Sequence, residues 1–339
     1  MSTEPQTITR TGPAEPLAAS RNLRVAALLF VARFGTLILL VGMIVYFGIR
    51  APSNFLTWSN FLNILNSASL VAIVAEGLTL TLVVGEFDLS VGYATSFGGI
   101  VVVCFMSNLG IPLLPSLFLV LLCGIALGTF NGILVTKVRI NAVIATLGVG
   151  IVLTGLEFIL APIPIVNGIP AGFLRIGLGR SILNVPNPVW FMVGVSIFLW
   201  VLLNRTDLGM KMQAVGGNIE ASRLAGIRVD RIKILAFAIA GACTALTGFL
   251  LSAVLGSGTI SAGDGYLLES FAAVYLGSAT LRDGEFHVFG TIVGVLIICV
   301  GFSGLSIINA PSSAQPIFEG ASLIFAVGLA TSAQRFAKN

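Results

Sequence analysis

Long uncharged runs decide what this chain can become. A helix rises about 1.5 Å per residue and needs roughly 20 apolar residues to cross the hydrocarbon of a bilayer. Runs near that length recur along the whole sequence, at about 26–48, 61–84, 90–106, 112–136, 141–161, 188–203, 233–256, 266–281, 288–307 and 314–333. Charged residues are only 9% of the chain, against about 25% in soluble domains. The expectation is an all-α integral membrane protein with ten transmembrane helices, most of its mass in lipid.

The basic residues orient this arrangement. With both termini in the cytoplasm, 15 of the 18 Lys and Arg face inward, and only Arg50, Arg175 and Arg180 lie outside, as the positive-inside bias requires. Arg21, Arg24 and Arg33 lead into a first span that lacks a small-residue cleavage pattern, so it is expected to remain as an anchor. Residues 1–24, with Pro5, Pro13 and Pro16 among Ser, Thr and Ala, read as a disordered cytoplasmic tail. Residues 25–334 read as one transmembrane domain of the cytoplasmic membrane. No Lys or Arg occurs between Arg50 and Lys137, so charge does not fix the side on which Glu86 and Asp88 emerge.

Several function classes fall away. The net charge of +4 resides in the inward loops and supports topology, not nucleic-acid binding. Cys104, Cys123, Cys243 and Cys299 all sit in apolar segments without a CxxC pair. With His287 the sole histidine, a His-based metal site or Ser-His pair has little to work with, and no cofactor is expected on this chain. No lysine follows a glycine, so no phosphate-cradling G-x-x-x-x-G-K-[ST] loop exists. If transport is ATP-driven, ATP and magnesium are bound by another polypeptide.

The one long polar insertion, residues 204–233, carries helix punctuation. Asn218 is placed to N-cap a short helix over 219–225, with Glu220 in its first turn, Arg223 toward its end and Gly226 as the left-handed residue beyond it. Ala221, Leu224 and Ala225 form a small apolar face, and Asp230 is placed to cap the following span. Such a helix suits a groove on a soluble partner.

The run 220-EASRLAG-226 resembles the Glu-Ala-Ala-x-x-x-Gly coupling loop of ABC importer permeases, with Ser222 for the second alanine. Ala214, Gly216, Asn218, Ala221, Gly226 and Ile227 resemble the corresponding pattern of ribose-type sugar permeases. So does 88-DLSVG-92, although Glu86 and Phe87 depart from the usual residues before it. The segment 269–297 resembles that family's C-terminal run, with Ser278 where glycine is usual. The resemblance implies a non-catalytic permease subunit that works with a cytoplasmic ABC ATPase, a solute-binding protein outside and a second permease copy or related chain. It also implies that Gly216, Asn218, Glu220, Ala221, Arg223, Leu224 and Gly226 couple to the ATPase.

Polar residues inside spans are the candidates for pathway or gating roles: Glu76, Asp88, Ser90, Asn131, Asn141 and Glu157. Asp88 and Ser90 can cap the third span or, with Glu86, line a path. Glu76 can bond a neighbouring helix or meet a hydroxylated substrate, and Asn131 and Asn141 can serve as pathway groups, interhelical bonds or caps. Gly124, Gly128 and Gly132, and Gly290 and Gly294, allow helices to approach closely. Gly85-Glu86-Phe87 recurs as Gly284-Glu285-Phe286, both inward-facing in this topology. Alternatives are a branched-chain amino acid permease of the same superfamily and a proton-coupled transporter with Glu76 and Glu157 as relays. An intramembrane enzyme is a third, without an evident nucleophile and base.

Overall fold

The computed structural model describes residues 34–278 and 284–337, with side chains to residue 328. The expected tail at 1–24, the start of the first span, Arg282 and Lys338 lie outside the described residues. Among those described, the chain is helical apart from turns and two isolated bridges.

Each of the ten apolar runs contains a helix: α1 (Phe34–Arg50), α3 (Trp58–Val83), α4 (Val91–Ser107), α5 (Leu113–Thr136), α6 (Ala142–Leu160), α8 (Asn187–Arg205), α11 (Val229–Leu255), α12 (Tyr266–Ser278), α13 (Val288–Ile307) and α14 (Ala314–Ala337). Between them lie four short helices: α2 (Pro52–Phe55), α7 (Ala171–Leu178), α9 (Asp207–Gly217) and α10 (Ile219–Leu224). Six of these helices, α3, α5, α6, α8, α11 and α13, are long and apolar enough to cross a membrane. The described part of α12, 13 residues, reaches about 20 Å, against roughly 30 Å of hydrocarbon. It is preceded by a non-helical segment, 256–265.

Helices α3 and α11 are buried along most of their length and form the centre, while α5, α6 and α8 expose most of theirs. Glycines set the closest contacts. A Cβ at Gly124 or Gly128 would strike the carbonyl oxygens of Gly241 and Phe237, so α5 lies backbone to backbone on α11. Gly290 and Gly294 do the same for α13 against Gly277 and Ala273 of α12. Both glycine series therefore serve packing within the chain.

Helix α11 is 27 residues, about 40 Å, so its two ends mark opposite faces. At its N-terminal end lies the 204–233 segment. At its C-terminal end packs α7, with Phe173 edge-on to Phe249 at 5.1 Å. A Cβ on Gly216 of α9 would run into the Val83 carbonyl oxygen, which brings the C-terminal end of α3 to the same face as 204–233. Glu86 pairs with Lys233 there as well. Charge along the sequence left the side of Glu86 and Asp88 open; packing places their turn on the loop face.

Candidate functional site

Two interruptions of the helical backbone gather buried polar groups. The first is the turn between α3 and α4. Helix α3 ends with Gly85 at φ +80°, its N–H donating to Leu82 O, while the Glu86 N–H donates to Thr81 O. This left-handed exit uses the last carbonyls of the helix. The two carboxylates that follow are both partnered. Glu86, half-buried, meets the Lys233 ammonium at 2.5 Å, across 147 residues. No nearby residue in the sequence suggests that pair. Asp88 is 3% exposed, and its Oδ1 accepts from the Ser90 N–H at 3.0 Å and the Ser90 hydroxyl at 2.6 Å.

Asp88 therefore closes a turn ahead of α4, and Ser90 occupies the cap position without capping through its side chain. Asn131 of α5 donates to the Ser90 hydroxyl at 2.8 Å, and Thr146 of α6 accepts from the Leu89 N–H at 2.9 Å. This ties α4, α5 and α6 together. Asn141 accepts from the N–H groups of Val143 and Ile144 and so caps α6.

The second interruption is 256–265, entered through Gly256 at φ +65°. Its contacts travel along α4: Gly258 lies against Ile100 and Val103, Gly263 against Thr95, and Gly92 against the backbone of Asp264. The segment thus returns into the helical body from the far face. Irregular backbone at that depth survives only where protein or water satisfies it. Here Ser96 donates to Asp264 at 2.7 Å and accepts from the Gly263 N–H, and Glu157 accepts from the Ser261 N–H at 3.1 Å. Glu76, fully buried in α3, accepts from Ser196 of α8.

A roomy cavity lies elsewhere. About 570 Å³ opens at the far face between the first turns of α3, the start of α12 and the ends of α11 and α13. Its polar lining is Asn60, Asn63, Asn66 and Ser67 of α3, Tyr266 and Glu269 of α12, and Ser303 and Ser306 of α13. None of Glu76, Asp88, Ser90, Asn131, Asn141 and Glu157 lines it. Asn60 is engaged structurally, donating to Phe55 O and accepting from Ser303. Asn66 Oδ1 is buried with no hydrogen-bond partner, and Asn63 makes no side-chain hydrogen bond among the described residues. Sequence reasoning passed over these groups, yet a signal existed. Asn60, Asn63 and Asn66 repeat every three residues at the start of an apolar helix, and Ser303 and Ser306 share that spacing.

On the loop face, α10 has the expected grammar. Asn218 accepts from the Ala221 N–H at 2.9 Å, and Arg223 pairs with Glu220 at 2.8 Å. Gly226 has φ +80°; its N–H donates to Arg223 O while Ile227 N–H donates to Ser222 O, a paired exit that fixes the end of the helix. Ser222 is buried, whereas Ala221, Leu224 and Ala225 point away from the body, Leu224 at 91% exposure. Asp230 does not cap α11. It lies within the first turn and pairs with Lys137 at 2.6 Å, while Arg228 holds the cap position. Sequence reading also omitted α9, which Thr206 caps by accepting from the Gly209 N–H. His287 caps α13, its Nδ1 accepting from the Gly290 N–H at 2.9 Å.

Comparison with known proteins agrees along most of the chain. The family described as branched-chain amino acid transport system / permease component matches residues 60–327. The chain is 35% identical over 301 residues to the ribose import permease protein RbsC of Escherichia coli K12, covering 86% of this chain and 91% of that one. It is 33% identical over 287 residues to the RbsC of Bacillus subtilis, covering 84% and 88%. It is 32% identical over 319 residues to the L-arabinose ABC transporter permease protein AraH of Azospirillum brasilense, covering 94% and 93%. No solved structure matches it.

Proposed function

The chain belongs to the transport-system permease component family, and on that premise we propose that it is the membrane subunit of an ABC importer for a sugar or related polyol, in the inner membrane. One observation carries the mechanism: a short helix, capped at both ends, turns its apolar residues out of the protein beside the end of a central span. Although the family description names branched-chain amino acids, the relatives at 32–35% identity are named for ribose and arabinose. The far-face cavity fits that chemistry, because amides and hydroxyls can exchange hydrogen bonds with sugar hydroxyls.

In this reading the loop face is cytoplasmic, ten helical segments cross or enter the bilayer with both termini inside, and residues 25–334 form one permease domain. A cytoplasmic ATPase, carrying the ATP and magnesium, grips α10 through Glu220, Ala221, Arg223 and Leu224, with Asn218 and Gly226 holding the helix in shape. Its movement reaches α3 through the contact of Gly216 with Val83. A solute-binding protein delivers the sugar at the far face, and a second permease copy or related chain completes the path. Glu76, Asp88, Ser90, Asn131, Asn141 and Glu157 serve as joints between helices or at helix starts, with the solute path at the far-face cavity.

The test is co-purification of the full chain from its native host, beside the double variant Glu220→Ala with Gly226→Pro, followed by uptake in proteoliposomes. An ATPase recovered with wild type and lost with the variant, together with ATP-dependent sugar uptake, is the expected result. Uptake driven by a proton gradient without any ATPase would overturn the reading. ATP-driven uptake of branched-chain amino acids instead of sugars would overturn its substrate.

A further inference from the structure

A smaller cavity, about 180 Å³, opens on the loop face between the exit of α5, the end of α10 and the first turn of α11. Arg139, Arg223 and Lys233 line it, together with Glu86 and Asp230. Both carboxylates are already taken: Glu86 meets Lys233, and Asp230 meets Lys137 at 2.6 Å. Arg139 and Arg223 also lie within electrostatic reach of Asp230, so three cations converge on one carboxylate. Arg223 has an exposed pair with Glu220, of the kind worth little. Arg139 makes no side-chain hydrogen bond or ion pair among the described residues. Its backbone is left-handed, at φ +65°, just past the end of α5, where glycine would sit without strain. An arginine kept there against a conformational cost points to a use for its side chain.

We propose that this cavity binds a phosphate group between the guanidinium groups of Arg139 and Arg223, and that the group belongs to an anionic phospholipid at the loop face. A guanidinium presents parallel N–H donors that match two oxygens of one phosphate, and it stays charged at any working pH. The neighbours of Arg139 supply the membrane position. Val138 and Ile140, on either side of it, are 58% and 37% exposed, and α5 exposes most of its length. Arg139 thus stands where an apolar helix surface meets the loop face, at the level of lipid headgroups. A carboxylate of a soluble partner is the rival occupant, and the apolar residues flanking Arg139 favour the lipid over it. A phosphate held by both arginines ties α10 to the end of α5, whichever solute the chain carries.

The test is equilibrium binding of radiolabelled dioctanoyl phosphatidylglycerol to the full chain in neutral detergent, with dioctanoyl phosphatidylcholine and inorganic phosphate as competitors. Wild type is expected to bind the label and to give it up poorly to phosphatidylcholine. Arg139→Gly should weaken binding roughly tenfold, the loss of a charge-assisted contact. Its unfolding temperature should hold or rise, because glycine relieves the left-handed position, which separates a lost ligand from a lost fold. Asp230→Asn removes the carboxylate that the cations share and should tighten binding a few fold. Lys211→Gln, on the same face but outside the cavity, should leave binding unchanged. Release by inorganic phosphate as readily as by unlabelled phosphatidylglycerol would keep the phosphate site but overturn the lipid as its source. Binding no tighter than that of phosphatidylcholine, or unmoved by Arg139→Gly, would overturn the site. So would loss of a co-purifying ATPase from Arg139→Gly with lipid binding intact, which would give the cavity to a partner's carboxylate. The binding measurement needs neither ATPase nor transport, so its failure is distinct from failure of the importer reading in the uptake assay.

Discussion

The two ends of α3 follow opposite rules. At the loop face the carboxylates around the α3–α4 turn and the start of α11 are matched: Glu86 with Lys233, Asp88 with Ser90, and Asp230 with Lys137. At the far face Asn63, Asn66 and Glu269 line a cavity with no basic lining group among the described residues, and Asn66 Oδ1 has no hydrogen-bond partner. Buried polar groups cost stability unless paired. A set left unpaired beside water-accessible space is therefore placed to bind, and a fully paired set is placed to hold shape. In the proposed mechanism the loop-face turn acts as a mechanical joint and the far-face cavity as a passage.

This contrast can be broken in measurable steps. The largest effect should follow Lys233→Ala, which strands Glu86 in a half-buried site. Removing one partner of a buried pair costs about 3 kcal/mol, read as a lower unfolding temperature of the purified chain, and Glu86→Gln added to it should recover most of the loss. An unchanged unfolding temperature would remove the joint. Next comes Gly216→Val, which forces α9 away from the end of α3. It should cost about 2 kcal/mol by overpacking and leave ATP hydrolysis running with little uptake, whereas tightly coupled uptake would show that the contact transmits nothing.

On the other side of the comparison, Asn63→Leu should leave unfolding unchanged while uptake falls roughly five- to tenfold, the worth of a lost hydrogen bond near 1 kcal/mol. A stability loss without an uptake loss would make that amide structural. Asn218→Ala should weaken α10 by about 1 kcal/mol and reduce the ATPase recovered with the chain. The smallest effect belongs to Asp88→Asn, because the amide oxygen can still accept from Ser90. Uptake within about twofold of wild type is expected for a hydrogen bond to an intact acceptor; its abolition would mean that the charge itself serves the path.

Legibility in the sequence followed range. The α10 segment was readable because caps and left-handed exits involve groups within five residues of one another, and Asn218, Arg223 and Gly226 occupy their expected roles. The helical segments were readable because an apolar run needs no partner to declare itself in lipid. The re-entry at 256–265 was not readable, since Ser96 and Asp264 lie 168 residues apart and neither sits in a patterned stretch. The cavity was half readable: the asparagine spacing is local, but its orientation toward Glu269 and Ser306 is set by how α3, α12 and α13 pack.

By itself, then, the sequence determined a membrane-embedded helical chain of this permease family, with a capped helix at residues 219–224. Tertiary structure alone decided the side of Glu86 and Asp88, the pairing of Glu86 with Lys233, and which polar groups stay open to a solute. The reason is that helix formation and membrane insertion depend on neighbours along the chain. Whether a buried polar group is paired or free depends on residues brought from across it, as when Ser303 reaches Asn60 over 243 positions.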